Sequence, residues 1–231
     1  MTTLGRSGVE GSRPSFGATG IVDLNRHVGD EEAHEPVGRR LQPADRTGDD
    51  LANRFAVPGM QGRVRDFSAD GIRRGLEASM DRLGLDHLDV CLHDPDDHAG
   101  QAFREGCPAL AEFRSEGVVE ATGAGTNQSA MLTRFVRDTD VDVVLYADRY
   151  TLLDQSALAD LFPAAIERGT SVVIGGGVNS DLPADPTPTS TYGVGAAAEI
   201  RDCAEQFAIH VPAAFWRGLR ETGLLPTEES S

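Results

Sequence analysis

The sequence contains no lysine, and all 21 of its basic residues are arginine. Against 37 aspartates and glutamates this leaves a formal net charge of -16. A chain of that charge repels nucleic-acid phosphates and anionic lipid headgroups, so we expect neither a nucleic-acid nor a membrane partner. The acidic, lysine-free composition is typical either of a salt-rich cytoplasm, where screening shortens self-repulsion, or of a GC-rich genome.

Cysteine and long apolar runs are scarce as well. Cys91, Cys107 and Cys203 are widely spaced and form no C-x-x-C pair, which argues against a disulfide framework or a zinc knuckle. No run approaches the roughly 18 apolar residues that span a bilayer, and residues 1–20 lack the apolar core of a signal peptide. We therefore expect a soluble, unprocessed protein of the reducing cytoplasm.

The 231 residues are enough for one hydrophobic core, and no long linker divides them. We expect a single domain over residues 1–231. Its ends, 1–14 and 227–231, are predicted to be disordered. Residues 38–62 are predicted to form an irregular loop, because Arg, Asp, Pro and Gly dominate there. A short strand is expected within 15–24.

From residue 66 onward, helical and extended patterns alternate. Ser68 is a candidate N-cap, and apolar residues recur at helical spacing until Gly84. The predicted strands are 87–93, 118–124, 141–147 and 171–174. The predicted helices are 66–83, 101–116, 129–138, 156–168, 196–207 and 212–219. Because each strand is a nearly continuous apolar run, the pattern predicts a parallel sheet that helices cover on both faces.

Ligands of parallel α/β folds bind at the carboxyl ends of the strands, so polar residues at those ends are the candidate site. His93 ends the first apolar strand, where an imidazole can hydrogen-bond a carbonyl or act as an acid or base. A second interpretation combines His93 with Asp94, Asp96 and His98 as ligands of a hard metal. Since Asp-Pro-Asp-Asp is also an ordinary turn and N-cap sequence, we expect no metal.

Other polar residues follow the later strands, each with a structural alternative. Asn127 can recognise a carboxamide or belong to a helix cap. The glycines of 175–177 can bring backbone N–H groups close to a phosphate, although they match neither a dinucleotide fingerprint nor a P-loop. Tyr150 can stack on a ring or fill the core, and Arg149 can bind an anion or form a surface ion pair.

These segments together resemble the aldo-keto reductase superfamily. The resemblance is carried by residues 66–90, by His-Asp-Pro-Asp-Asp-His at 93–98, by Gly-Ala-Gly-Thr-Asn-Gln at 123–128 and by Arg-Tyr-Thr-Leu-Leu-Asp-Gln at 149–155. It is nearest to the bacterial dehydrogenases of L-fucose and D-threo-aldoses, a branch that also resembles pyridoxal 4-dehydrogenase. It runs from about residue 63 to residue 182, with a further patch at 211–226.

The resemblance implies a (β/α)8 barrel of the TIM type that binds NAD or NADP without a Rossmann domain. It also implies hydride transfer to or from a sugar or another small carbonyl or alcohol. By position, it makes His93 the histidine that orients the substrate carbonyl. The cofactor-binding positions that it implies are Thr126, Asn127, Gly176, Gly177 and Asn179.

The aspartate, tyrosine and lysine of that family's catalytic set have no counterpart here, because His34-Glu-Pro-Val runs directly into Gly38-Arg-Arg-Leu. A second gap, after residue 212, removes an arginine-bearing loop. We expect an incomplete barrel without its second, third and eighth strands, whose open edges favour homo-oligomers. The predicted function is an impaired NAD(P)-dependent oxidoreductase. The alternatives are a non-catalytic remnant that binds a nucleotide weakly or a protein partner and, less favoured, a metal-dependent enzyme.

Overall fold

The computed structural model of the chain describes residues 2–11, 66–83, 87–93, 95–147, 149–151, 154–176 and 208–226. The strands are β1 (Thr2–Thr3), β2 (Glu10–Gly11), β3 (Leu88–His93), β4 (Val119–Thr126), β5 (Val143–Ala147) and β6 (Ser171–Gly175). The helices are α1 (Ala69–Leu83), α3 (Ser129–Asp138), α4 (Leu161–Arg168) and α5 (Ala213–Glu221). Helix α2 continues from Ala99–Gln101 through the π-helical turn Ala102–Gly106 to Cys107–Ser115.

Strands β3 to β6 form a parallel four-stranded sheet in the order β3-β4-β5-β6. Each strand therefore lies beside its successor in the chain, with a helix in every connection. Sequential parallel strands with intervening helices are the repeating unit of a (β/α)8 barrel. The predicted parallel α/β class is confirmed.

Two of the described helices begin at residues whose side chains cap them. The Ser68 hydroxyl accepts the Gly71 N–H at 3.0 Å, which confirms Ser68 as the N-cap of α1. Helix α3 has the predicted bounds, whereas the helix predicted at 156–168 is divided. A 3₁₀ turn covers Ser156–Leu158, and α4 starts afresh because the Asp160 carboxylate accepts the Leu161 N–H at 2.6 Å.

Strand β4 begins one residue later and ends two residues later than the predicted strand 118–124. Gly125 and Thr126, which were expected to follow the strand, continue the ladder with β5. A Cβ on Gly123 would lie 2.4 Å from the Val143 carbonyl oxygen, so only glycine fits this close approach of the two strands. The strand predicted at 15–24, the loop at 38–62 and the helix at 196–207 lie outside the described residues.

The expectation of disorder at 1–14 is wrong for residues 2–11, which form an antiparallel hairpin of β1 and β2. Leu4 and Val9 are buried together with Ala121 of β4. The Gly5 N–H also donates to the Ser171 hydroxyl at the start of β6, at 2.7 Å. These contacts help to hold the hairpin against the amino-terminal end of the sheet, although its local composition resembles a loop.

The main core lies between the sheet and helices α1 to α4. Its largest fully buried side chains include Leu76, Leu110, Phe113, Leu132, Phe135, Tyr146 and Leu161. Rings at the edge of this core are in contact, and Phe103 stacks on Phe135 with centroids 4.3 Å apart. No helix in the described ranges is long and apolar enough to cross a membrane.

A network of paired charges lies at the amino-terminal end of the sheet. The side chain of Asp142 is only 4% exposed and receives the Arg114 guanidinium at 2.6 Å and the Thr122 N–H at 3.0 Å. Arg114 also contacts Asp140, whose other carboxylate oxygen binds Arg6 of the hairpin. These contacts join α2, β4, the start of β5 and the hairpin.

Replacing Arg114 by Ala should lower the free energy of unfolding by about 3 kcal/mol, because the Asp142 carboxylate would stay buried without its cation. The control is Arg74→Ala, which removes an exposed ion pair with Asp66 and should cost no more than about 1 kcal/mol. Urea unfolding followed by circular dichroism at neutral pH measures both. Equal losses in the two variants would contradict the structural role of Arg114.

The Asp140 carboxyl should make stability depend on pH in the acid range. Hydrogen bonds from Arg114 and then from Arg6 lower its pKa below the ordinary value. Its stabilising contribution is therefore complete above the unfolded pKa of about 3.9 and is lost as the pH falls through the folded pKa. Asp140→Asn should reduce the loss of stability between neutral pH and about pH 3.

Acid titration of the unfolding free energy tests this expectation. Asp138→Asn is the matched control, since the Asp138 carboxylate lies 4.0 Å from Arg134 on the exposed side of α3. The unfolding free energy of the Asp138→Asn variant should depend on pH in the same way as that of the unchanged protein. If Asp140→Asn retains the full pH dependence, the contacts of Asp140 do not contribute to stability.

Candidate functional site

The carboxyl ends of strands β3 to β6 meet along one edge of the sheet. His93, the last residue of β3, is level with Gly125, and Thr126 is level with Tyr146 of β5. Ala147, the last residue of β5, is level with Gly175. Three of the positions predicted from the sequence, His93, Thr126 and Asn127, therefore lie on neighbouring strand ends, and Gly176 follows the end of β6.

Thr126 and Asn127 differ in accessibility although they are adjacent. Thr126 is fully buried at the end of β4, whereas Asn127 is exposed between β4 and α3. The N-cap of α3 is Gln128, and it makes no capping hydrogen bond through its side chain. Asn127 thus precedes the cap position, and its amide belongs to the carboxyl edge of the sheet.

Gly176 turns the chain away from the end of β6. Its φ of 63° lies in the left-handed region, which glycine adopts without the strain that a side chain would bring. Backbone N–H groups in such a turn can face an anion. The other two residues of the predicted loop, Gly177 and Asn179, lie outside the described residues.

The face of the sheet opposite the main core is lined with small residues near this edge. Alternation along β4 puts Gly123 and Gly125 on the same side as Ala121, which contacts the hairpin. A Cβ on Gly175 would meet the Leu145 side chain at 3.5 Å and the Ala147 Cα at 3.7 Å, so these residues share a face. Sequence reasoning did not single out Ala147, and the small residue at the end of a strand was the available signal.

Both described tyrosines belong to the core. Tyr146 is 1% exposed, and its hydroxyl lies 3.4 Å from that of Ser156. Tyr150 packs edge-on against Phe162 with ring centroids 4.7 Å apart, as its core interpretation predicts. Neither ring is therefore a candidate for the tyrosine acid that the resemblance implies.

The shifted pKa values of Asp154 and Cys107 have structural causes. The pKa of Asp154 is lowered by hydrogen bonds from Ser156, with a smaller contribution from the charge of Arg149. Burial raises the pKa of the Cys107 thiol to about 11, which keeps it protonated near neutral pH. Cys107 is thus unsuited to act as a nucleophile.

The segment after β3 forms a turn. A 3₁₀ turn covers Asp96–His98, and the His98 ring lies 6.0 Å from that of Phe67. Among the described residues, no group of three His, Cys, Asp or Glu side chains is placed to hold a metal ion. Asp94, one member of the alternative metal set, lies outside the described ranges.

Comparison with known proteins identifies relatives of this chain. The sequence model of the aldo/keto reductase family matches residues 29–177. D-threo-aldose 1-dehydrogenase from a Pseudomonas species is 42% identical over 157 residues, which are 66% of this chain and 48% of that enzyme. Pyridoxal 4-dehydrogenase from Microbacterium luteolum is 34% identical over 138 residues, which are 53% of this chain and 39% of that enzyme. The chain thus spans about half the length of these relatives, or less.

Solved structures resemble this chain in fold. A thermostable aldo-keto reductase in complex with the inhibitor epalrestat superposes with a TM-score of 0.64 at 16% identity, covering 92% of this chain and 96% of that one. The holo form of an aldo-keto reductase from Bacillus halodurans gives a TM-score of 0.58 at 20% identity, covering 90% and 76% of the two chains. The fold is of the (β/α)8 barrel type, and the four-stranded parallel sheet is part of such a barrel. The chain belongs to the aldo/keto reductase family.

Proposed function

We propose that this chain binds NAD or NADP at the carboxyl edge of its sheet and acts as an oxidoreductase with an incomplete catalytic set. The observation that carries the proposal is the placement of His93, Asn127 and Gly176 at the ends of three strands of one sheet. Family membership supports the cofactor class. The names of the two dehydrogenase relatives support a sugar or another small carbonyl or alcohol as substrate.

The described residues suit a nicotinamide nucleotide. The exposed amide of Asn127 offers a donor and an acceptor, the pattern that a carboxamide requires. The small residues Gly125, Ala147 and Gly175 lie near the carboxyl ends of three neighbouring strands, and the left-handed turn at Gly176 suits a phosphate. When bound, the nucleotide supplies or accepts the hydride.

His93 is proposed to orient the substrate by donating a hydrogen bond to its carbonyl oxygen. This role needs a neutral imidazole at the end of a strand, and β3 ends at His93. The hydrogen bond would draw electron density from the carbonyl carbon and fix the orientation of the carbonyl group. His93 alone provides no second acid or base, so the proton that the substrate oxygen gains or loses would exchange with water.

The absence of lysine limits the rate that we expect. In the catalytic set that the resemblance implies, a lysine lowers the pKa of the tyrosine acid, and arginine, which stays protonated in proteins, cannot relay a proton in its place. General acid or base assistance accelerates such reactions roughly 10²- to 10⁴-fold. We therefore propose turnover reduced by at least this range, and the same absence favours a second candidate, a nucleotide-binding protein without catalysis.

Nucleotide binding is tested by titrating the purified chain with NADH and NADPH and following nicotinamide fluorescence. Asn127→Ala should weaken binding about tenfold through loss of paired hydrogen bonds, with unchanged stability because the side chain is exposed. Ser115→Ala, at the carboxyl end of α2 and the opposite end of the sheet, is the control and should bind normally. Failure of both nucleotides to bind would refute the proposal.

Turnover is tested with L-fucose and other aldoses under saturating NAD or NADP. His93→Ala should lower kcat/KM by about 10²-fold or more without weakening nucleotide binding. His87→Ala is the matched control, since it removes an imidazole 3.8 Å from Glu120 at the opposite end of β3. Full activity in His93→Ala would remove this residue from the reaction. Binding without turnover by the unchanged chain would favour the non-catalytic candidate.

A further inference from the structure

Two neighbouring helices begin at the carboxyl edge of the sheet. Helix α3 starts at Ser129, shortly after β4, and α4 starts at Leu161, after β5. The two helices pack against each other. In parallel α/β folds the connection from a strand to the next helix lies at the edge where ligands bind. Contacts that fix the first turns of α3 and α4 therefore act on the same edge as the candidate site.

The Asp160 carboxylate contacts the starts of both helices. One of its oxygens accepts the Leu161 N–H at 2.6 Å and so caps α4. The other accepts a hydrogen bond from the hydroxyl of Ser129, the first residue of α3, at 3.2 Å. This hydrogen bond is long, but the charge of its acceptor strengthens it. A negative charge is also favoured at a helix N-terminus, and this carboxylate lies beside two of them.

Asn127 belongs to a short connection that is held at both ends. Thr126, which precedes it, is the last residue of β4, is fully buried and is paired with β5. Ser129, two residues after Asn127, is bound to Asp160. Only Asn127 and Gln128 lie between the strand and the helix. Two residues between fixed ends have few backbone conformations, so the contact of Ser129 with Asp160 limits where the exposed Asn127 amide can lie.

We propose that Asp160 is a positioning residue for nicotinamide recognition, which acts through Ser129 on the Asn127 amide and does not touch the nucleotide. This inference rests on the proposed function, which assigns the carboxamide of the nucleotide to Asn127. An amide recognises a carboxamide through a donor and an acceptor at once, so its backbone must be held in place for both hydrogen bonds to form. An amide that is ordered before binding raises the affinity, because binding need not supply that order.

The variant Ser129→Ala tests this role, because it removes the contact and leaves the cap of α4 intact. It should bind NADH, or NADPH if that is the nucleotide bound by the unchanged chain, about threefold to fivefold more weakly. The affinity for ADP-ribose, or for its 2′-phosphate in the second case, should not change, since these ligands lack the nicotinamide. Ser129→Thr retains the hydroxyl and should bind the nucleotide as the unchanged chain does.

A double-mutant cycle shows whether the contact acts through Asn127. In the Asn127→Ala background, Ser129→Ala should cause no further loss of nucleotide affinity, because the amide that it positions is already absent. Thr139→Val is the matched control, since the Thr139 hydroxyl donates to the Phe135 carbonyl at the opposite end of α3, at 2.6 Å. This control should leave both affinities unchanged. Circular dichroism verifies that each variant is folded.

Three results would overturn the role of Asp160. They are an unchanged nucleotide affinity in Ser129→Ala, equal losses of affinity for the nucleotide and for ADP-ribose, and additive losses from Ser129→Ala and Asn127→Ala. Each of them leaves the proposed function intact as long as the unchanged chain binds the nucleotide and Asn127→Ala weakens that binding. Failure of both nucleotides to bind the unchanged chain refutes the proposed function and this role together, so the unchanged chain alone distinguishes the two failures.

Discussion

The buried carboxylate of Asp142 is the constraint on which the described structure depends. A charge with a side chain 4% exposed is tolerated only when cations and N–H groups surround it, and Arg114 and the Thr122 N–H fulfil that condition. The Arg114 guanidinium also forms an ion pair with Asp140, and Arg6 of the hairpin forms a second ion pair with the same carboxylate. The carboxyl edge stays clear of this network, so stabilising contacts and candidate site residues occupy opposite ends of the strands.

Local pattern predicted the elements whose causes are local. The apolar runs predicted β3 to β6, and the Ser68 cap and the span of α3 were correct because both depend on neighbouring residues. The hairpin was not predicted, since Leu4 and Val9 become apolar anchors only when Ala121, distant in sequence, lies beneath them. Gly123 was predicted within a strand, but no local rule shows that the position requires glycine, because the reason is the carbonyl of Val143 on the next strand.

The candidate site was predicted chiefly through the family resemblance and only in part through residue chemistry. A histidine at a strand end is apparent from sequence, and β3 does end at His93. The sequence could not show that Tyr146 and Tyr150 both belong to the core, because an aromatic residue near a strand end suits either face. Composition supplied the remaining constraint, since a chain without lysine lacks one member of the usual catalytic set wherever its elements lie.

The hairpin of residues 2–11 covers one end of the described sheet. Leu4 and Val9 lie over the sheet at Ala121, and the Gly5 N–H donates to the hydroxyl of Ser171, the first residue of β6, so the hairpin occupies the amino-terminal end of these strands. A molecule that binds beside Gly125 and Ala147, as proposed, would therefore approach the sheet from its carboxyl edge.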